Sequence, residues 1–132
     1  MKKTSQKLRG RTNNYNLSDI VYHILRTRDT LQVYHWNTKQ YARHKASDEL
    51  IKSLTENMDL FVETYLGAFN KEKIKLKEKV NIENYTDTQI SGELIFLMNY
   101  LQNMEYKTSD LMNIRDELLG DINQTLYLFT LR

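Results

Sequence analysis

From Ala42 to Leu66 the chain contains neither proline nor glycine, and the apolar residues Leu50, Leu54, Met58, Phe61, Val62 and Tyr65 recur at steps of three and four. That period is the signature of one buried face of an α-helix. A single long helix is expected here, and the remaining segments must be arranged around it. They are equally free of breakers: 132 residues include no proline and only four glycines, which favours long uninterrupted helices.

The same helix carries the candidate chemistry. His44 and Asp48 stand four residues apart, as do Asp59 and Glu63, a separation that stacks side chains on one helix face. The step from Asp48 to Asp59 is close to three whole turns, so both pairs point the same way but lie roughly 16 Å apart along the axis. One chain cannot close both pairs on one ion. A second copy of the helix, packed antiparallel across a two-fold axis, sets His44 and Asp48 of one chain opposite Asp59 and Glu63 of the other, and symmetry makes two identical sites. His35, at the end of the preceding helix, stands beside the turn that reverses the chain before His44 and can approach the same cluster. Two imidazoles and three carboxylates suit iron, as a di-iron or a mononuclear centre, with zinc or manganese as alternative metals.

His35-Trp36-Asn37, followed by His44, Asp48, Asp59 and Glu63, resembles the Dps-like branch of the ferritin superfamily, in which an HWN motif precedes H-x3-D and then D-x3-E eleven residues on. The loop between His35 and His44 is shorter here than in that family, and Thr64 stands where the family usually has Arg after the final Glu. A similar shortened pattern occurs in ferritin-like proteins of large DNA viruses. The resemblance implies oxidation of ferrous iron by peroxide or oxygen, for iron sequestration and oxidative protection. His35, His44 and Asp48 of one subunit, with Asp59 and Glu63 of its two-fold mate, would be both metal ligands and catalytic residues. It also implies a homo-oligomer of two-fold dimers, with a dodecameric cage as one closed form.

With 40% hydrophobic and 27% charged residues, one soluble domain with a single core is expected. The lack of cysteine excludes disulfides, thiolate metal sites and cysteine nucleophiles. No apolar run approaches a membrane span, and the start MKKTSQKLRGR lacks the hydrophobic segment of a secretory signal. The expected location is the cytoplasm or a nucleic-acid-containing particle such as a virion, away from membranes. Gly-rich phosphate loops, G-x-S-x-G and H-E-x-x-H are all missing from the sequence, which leaves nucleotide-binding and hydrolase chemistry without support.

The expected fold is all-α: a ferritin-like four-helix bundle over residues 17–132, with one long crossover (68–87) between the second and third helices. Residues 1–16 form a basic tail carrying Lys2, Lys3, Lys7, Arg9 and Arg11, which could neutralise DNA phosphates without reading sequence; a solvated terminus is the plainer reading. The first helix is expected to be capped by Ser18 and to bury Ile20, Val21, Ile24, Leu25, Leu31 and Tyr34, with His23 structural and Trp36 either shielding the site or packed in the core or an interface. Gly67 is the expected end of the second helix.

In the crossover, Lys71, Lys73, Lys75, Lys77 and Lys79 alternate with Ile74, Leu76 and Val80 in a strand-like pattern whose lysines form a wet face. An extended segment of this size spans up to about 60 Å, enough to return along the second helix. The third helix should start near Asp87 and bury Ile90, Leu94, Leu97, Leu101 and Met104. The fourth, capped by Ser109, should bury Leu111, Ile114, Leu118, Ile122, Leu126 and Phe129. Asp116, Glu117 and Asp121 are expected at the surface or an interface. No Glu-x-x-His occurs anywhere, so the within-subunit di-iron site of true ferritins is missing. The alternative function is a noncatalytic ferritin-like structural or nucleic-acid-associated protein, for instance a virion component.

Overall fold

A computed structural model describes residues 16–69, 73–106 and 108–131. Among these there are four helices and no strand: α1 (Leu17–Asn37), α2 (Tyr41–Phe69), α3 (Asp87–Gln102) and α4 (Ser109–Leu128). Residues 1–15 of the basic tail, Lys71 and Lys107 lie outside the described residues.

Local chemistry explains the helix ends. The Asn16 side chain accepts from the Asp19 N–H and caps α1, where Asp19 also places negative charge at the positive end of the helix dipole. Ser18, the expected cap, lies one residue inside the helix, and its hydroxyl instead accepts from the Lys75 N–H at 2.8 Å. Thr86 and Gln89 form a reciprocal capping box at the start of α3. Thr108, one residue before the expected Ser109, takes the cap position of α4 and makes no side-chain cap bond. The end of α3 is satisfied from a neighbour, for the Arg115 guanidinium of α4 donates to the carbonyls of Leu101, Gln102 and Met104. Gly67 does not stop α2, which continues to Phe69; the Tyr65 and Phe69 rings meet at 4.8 Å across the added turn.

α1 packs on α2 and α3, and α4 packs on α2 and α3, so the four helices enclose one core. That core holds Ile20, Ile24 and Leu31 of α1, Leu50, Leu54 and Phe61 of α2, Ile90, Leu94 and Leu97 of α3, and Leu111, Leu118 and Ile122 of α4. Each fully buried aliphatic side chain contributes about 1.5–3 kcal/mol relative to exposure. Phe129 also reaches the core, whereas Leu25 and Leu126 are only partly buried against it.

Long-range contacts fix the helix directions. Tyr34 at the end of α1 donates to Asp87 at the start of α3 (2.6 Å), and its ring packs on Phe129 beyond the end of α4. Arg43 near the start of α2 donates to the Tyr34 hydroxyl (2.8 Å) and lies over the Phe129 ring. At the opposite end, Phe61 and Tyr65 of α2 pack on Tyr106, just before α4. α1 and α4 therefore run one way and α2 and α3 the other. The segment joining α2 to α3 follows α1: Ser18 holds Lys75, Arg26 donates to the Tyr85 hydroxyl, and Asp87 closes on Tyr34. Lys73, Lys75, Lys77 and Lys79 are exposed along it without a strand partner.

Between α1 and α3 one carboxylate is buried. Glu93 accepts from the Thr27 hydroxyl at 2.9 Å and from Arg26 at 3.4 Å. Close by, His23 contacts the rings of Tyr22, Phe96 and Tyr100. Burial holds its pKa below the ordinary value of 6.5, outweighing the opposing pull of Asp19 and Glu93. A base whose folded pKa is depressed binds fewer protons folded than unfolded just below 6.5, so its contribution is complete above that pH and is lost as pH falls through the folded pKa. Urea midpoints measured between pH 7.5 and 5.5 should therefore fall more steeply for wild type than for His23→Phe. Parallel profiles would mean that His23 is not the titrating group.

Candidate functional site

The turn between α1 and α2 comprises only Thr38, Lys39 and Gln40. It folds the end of α1 back on the first turn of α2 and brings two histidines into contact. The His35 and His44 rings stack with centroids 4.0 Å apart and planes inclined by 18°. His35 Nδ1 lies 2.8 Å from the His44 carbonyl oxygen, and His44 Nδ1 lies 3.1 Å from the His35 carbonyl oxygen.

A carbonyl oxygen can only accept, so each Nδ1 must carry its proton and donate it. In the neutral rings this leaves each Nε2 with a free lone pair, the tautomer in which histidine serves as a metal ligand. Ser47 completes the arrangement. It is wholly buried, its hydroxyl donates to the Arg43 or His44 carbonyl, and its oxygen lies 2.9 Å from His35 Nδ1. His35 is itself buried, while His44 lies exposed above it.

The carboxylates are disposed differently. Asp48 is one turn along α2 from His44 and accepts an ion pair from Lys52 at 3.6 Å. Asp59 and Glu63 are exposed in the second half of the helix and form no hydrogen bond or ion pair with another described residue. They stand roughly 16 Å from the first pair along the axis, as 1.5 Å per residue requires. Among the described residues of one chain, no group of three His, Cys, Asp or Glu side chains could hold a metal ion. The fold thus brings His35 and His44 together, pairs Asp48 with Lys52, and leaves Asp59 and Glu63 remote. The two imidazoles are the only pair among these five residues that the fold brings into contact.

Trp36, next to His35, is 69% exposed in the single chain and lies outside the core. The other acids divide: Asp116 pairs with Arg115, Glu117 is exposed, and Asp121 accepts from the Ser53 hydroxyl between α4 and α2. Sequence reasoning missed Ser47 and Lys52. Their spacings of three residues from His44 and four from Asp48 were the available signals.

Lys2, Lys3, Lys7, Arg9 and Arg11, the candidate DNA contacts, lie outside the described residues. No helix among the described residues is long and apolar enough to cross a membrane.

Neither the curated proteins nor the solved structures include a match to this chain. The model of a family of unknown function, DUF5856, matches residues 35–129, a stretch that contains His35, His44, Asp48, Asp59 and Glu63. Since this match covers well over half of the 132 residues, the chain belongs to the DUF5856 family.

Proposed function

We propose that this protein is a Dps-like, ferritin-like iron-binding protein. Two-fold-related chains share sites that take up Fe(II) as substrate, pass its electrons to peroxide or oxygen, and sequester the ferric product. The observation that carries the proposal is the reciprocal pair of Nδ1–H to carbonyl bonds, which fixes both imidazoles in the ligand tautomer at the start of α2. Parallel α2 and α3, joined by a segment that runs back along α1, support a ferritin-like crossover.

Self-complementarity of α2 supports the dimer. Lys45 and Lys52 lie in its first half with Asp48 and Glu49, and no basic residue occurs between Lys52 and Phe69, where Glu56, Asp59 and Glu63 stand. An antiparallel copy therefore sets the half that holds both lysines against the acidic half. Pairing His44 with Glu63 of a second chain also aligns Asp48 with Asp59, Tyr41 with Leu66 and Lys45 with Val62. Tyr41 is 75% exposed in the single chain and would be covered by this pairing.

In such a site His35, His44 and Asp48 of one chain, with Asp59 and Glu63 of the other, bind and orient Fe(II). Each ion gives up one electron, so two are oxidised for each peroxide reduced to water. Purified protein should bind Fe(II) and speed its oxidation, with loss of at least tenfold in initial rate for His44→Ala and Glu63→Ala, since removing one ligand or its support typically costs 10–100-fold. Wild type that binds no Fe(II), or variants that match it, would leave the noncatalytic helical protein as the better account.

A further inference from the structure

We propose that the lysine row between α2 and α3, held beside the root of the basic tail, is a surface that binds nucleic-acid phosphates. Lys73, Lys75, Lys77 and Lys79 are all exposed, and Glu78 is the one acid among residues 73–79. None of the four lysines forms an ion pair with another described residue. Alternate residues of a chain stand at most about 7 Å apart. That is within the Debye length of about 8 Å at physiological salt, so the potentials of neighbouring ammonium groups add.

The fold brings a second set of cations to the same place. The Ser18 hydroxyl accepts from the Lys75 N–H at 2.8 Å and donates to the Lys73 carbonyl at 3.4 Å, which pins the row to the first turn of α1 although Lys75 follows Ser18 by 57 residues. Residues 1–15 enter α1 through Asn16, so Lys2, Lys3, Lys7, Arg9 and Arg11 are tethered beside that pin. Residues 1–15 carry those five basic residues and no acid, while the whole chain has a net charge of only +2, so outside these two segments the chain is net acidic. A polyanion is therefore drawn to this one region and repelled elsewhere. Duplex DNA carries one negative charge per about 1.7 Å of axis, dense enough to meet lysines spaced this closely. Lysine engages phosphate as a point charge, and a row of lysines without arginine reads charge and not sequence. The surface lies at the start of α1, roughly 25 Å along the helix from His35, and its function does not depend on iron chemistry.

The test is fluorescence anisotropy of a labelled DNA duplex of arbitrary sequence, titrated with the full chain between about 50 and 200 mM salt. The K73Q/K75Q/K77Q/K79Q variant removes charge only from exposed positions. It should bind at least tenfold more weakly and flatten the slope of log K against log salt by about 3, since each phosphate contact contributes about 0.9. Replacing the same four lysines by Arg should preserve binding. Deleting Met1 to Arg11 should leave part of the affinity, which the four Gln substitutions then remove. Fe(II) oxidation by the four-Gln variant should match wild type, which separates this surface from the site on α2. Wild type that does not bind the duplex, or a four-Gln variant with wild-type helicity, affinity and salt slope, would overturn the proposal. Polyglutamate that competes as well as DNA at equal charge would overturn it too, by assigning the surface to acidic proteins.

Discussion

Refolding His44→Ala and Glu63→Ala chains together as an equal mixture is expected to restore about a quarter of the wild-type Fe(II) sites, although either variant alone forms no intact site. Random pairing makes half of the dimers mixed. In a mixed dimer one site inherits both substitutions and the other inherits neither, so one of its two sites is whole. The figure follows from the placement of the two residues on α2, where His44 and Glu63 lie too far apart to serve one ion within a chain. Recovery is read as Fe(II) bound and as oxidation rate against a wild-type standard refolded in the same way. A site built inside one chain would give no recovery at all.

Phe61→Ala is expected to destabilise the fold by about 3–5 kcal/mol, a drop in Tm on the order of 10 °C for a domain of this size. Phe61 is 2% exposed and packs on Tyr65 and Tyr106, whose ring centroids lie 6.5 and 6.0 Å away. Removing its ring leaves a cavity where α2 meets the approach to α4. The adjacent Leu60 is 50% exposed, and Leu60→Ala should change stability by no more than about 0.5 kcal/mol. Thermal and urea unfolding followed by circular dichroism compares the two. Equal shifts would mean that α2 presents a different face to the core.

The helices and their buried faces could be read from spacing because apolar periodicity is a property of each segment alone. Leu50, Leu54 and Phe61 of α2, and Ile90, Leu94, Leu97 and Leu101 of α3, are all buried as their period requires. Ends were harder, since the choice among competing caps depends on distant partners. Asn16 and Ser18 can both cap a helix, and the structure uses Asn16 because the Ser18 hydroxyl holds Lys75. Gly67 carried a stop signal only in so far as a left-handed residue was needed there, and the Tyr65 and Phe69 contact continues the helix instead.

Among the described residues the strand-like alternation of lysines after Phe69 has no second strand to pair with, and its described part, residues 73–80, stays irregular. At the candidate site the residue types and spacing were legible. The bonds that set the histidine tautomers were not, because their acceptors are main-chain carbonyls, which every residue has. The Trp36 environment was likewise invisible, because exposure of a residue at a helix end is decided by what packs over it.

The direction of the helices also shapes how the molecule is assembled in time. Since α2 and α3 point the same way, no short turn can join them, and the chain divides into two antiparallel hairpins, each closed by local contacts and linked by a long tether. Such hairpins can form independently and dock late, because lengthening a tether adds little entropy cost to closure. A tether of that kind equally lets one hairpin reach across to a neighbouring molecule, so exchange of halves between chains becomes topologically cheap during refolding at high concentration.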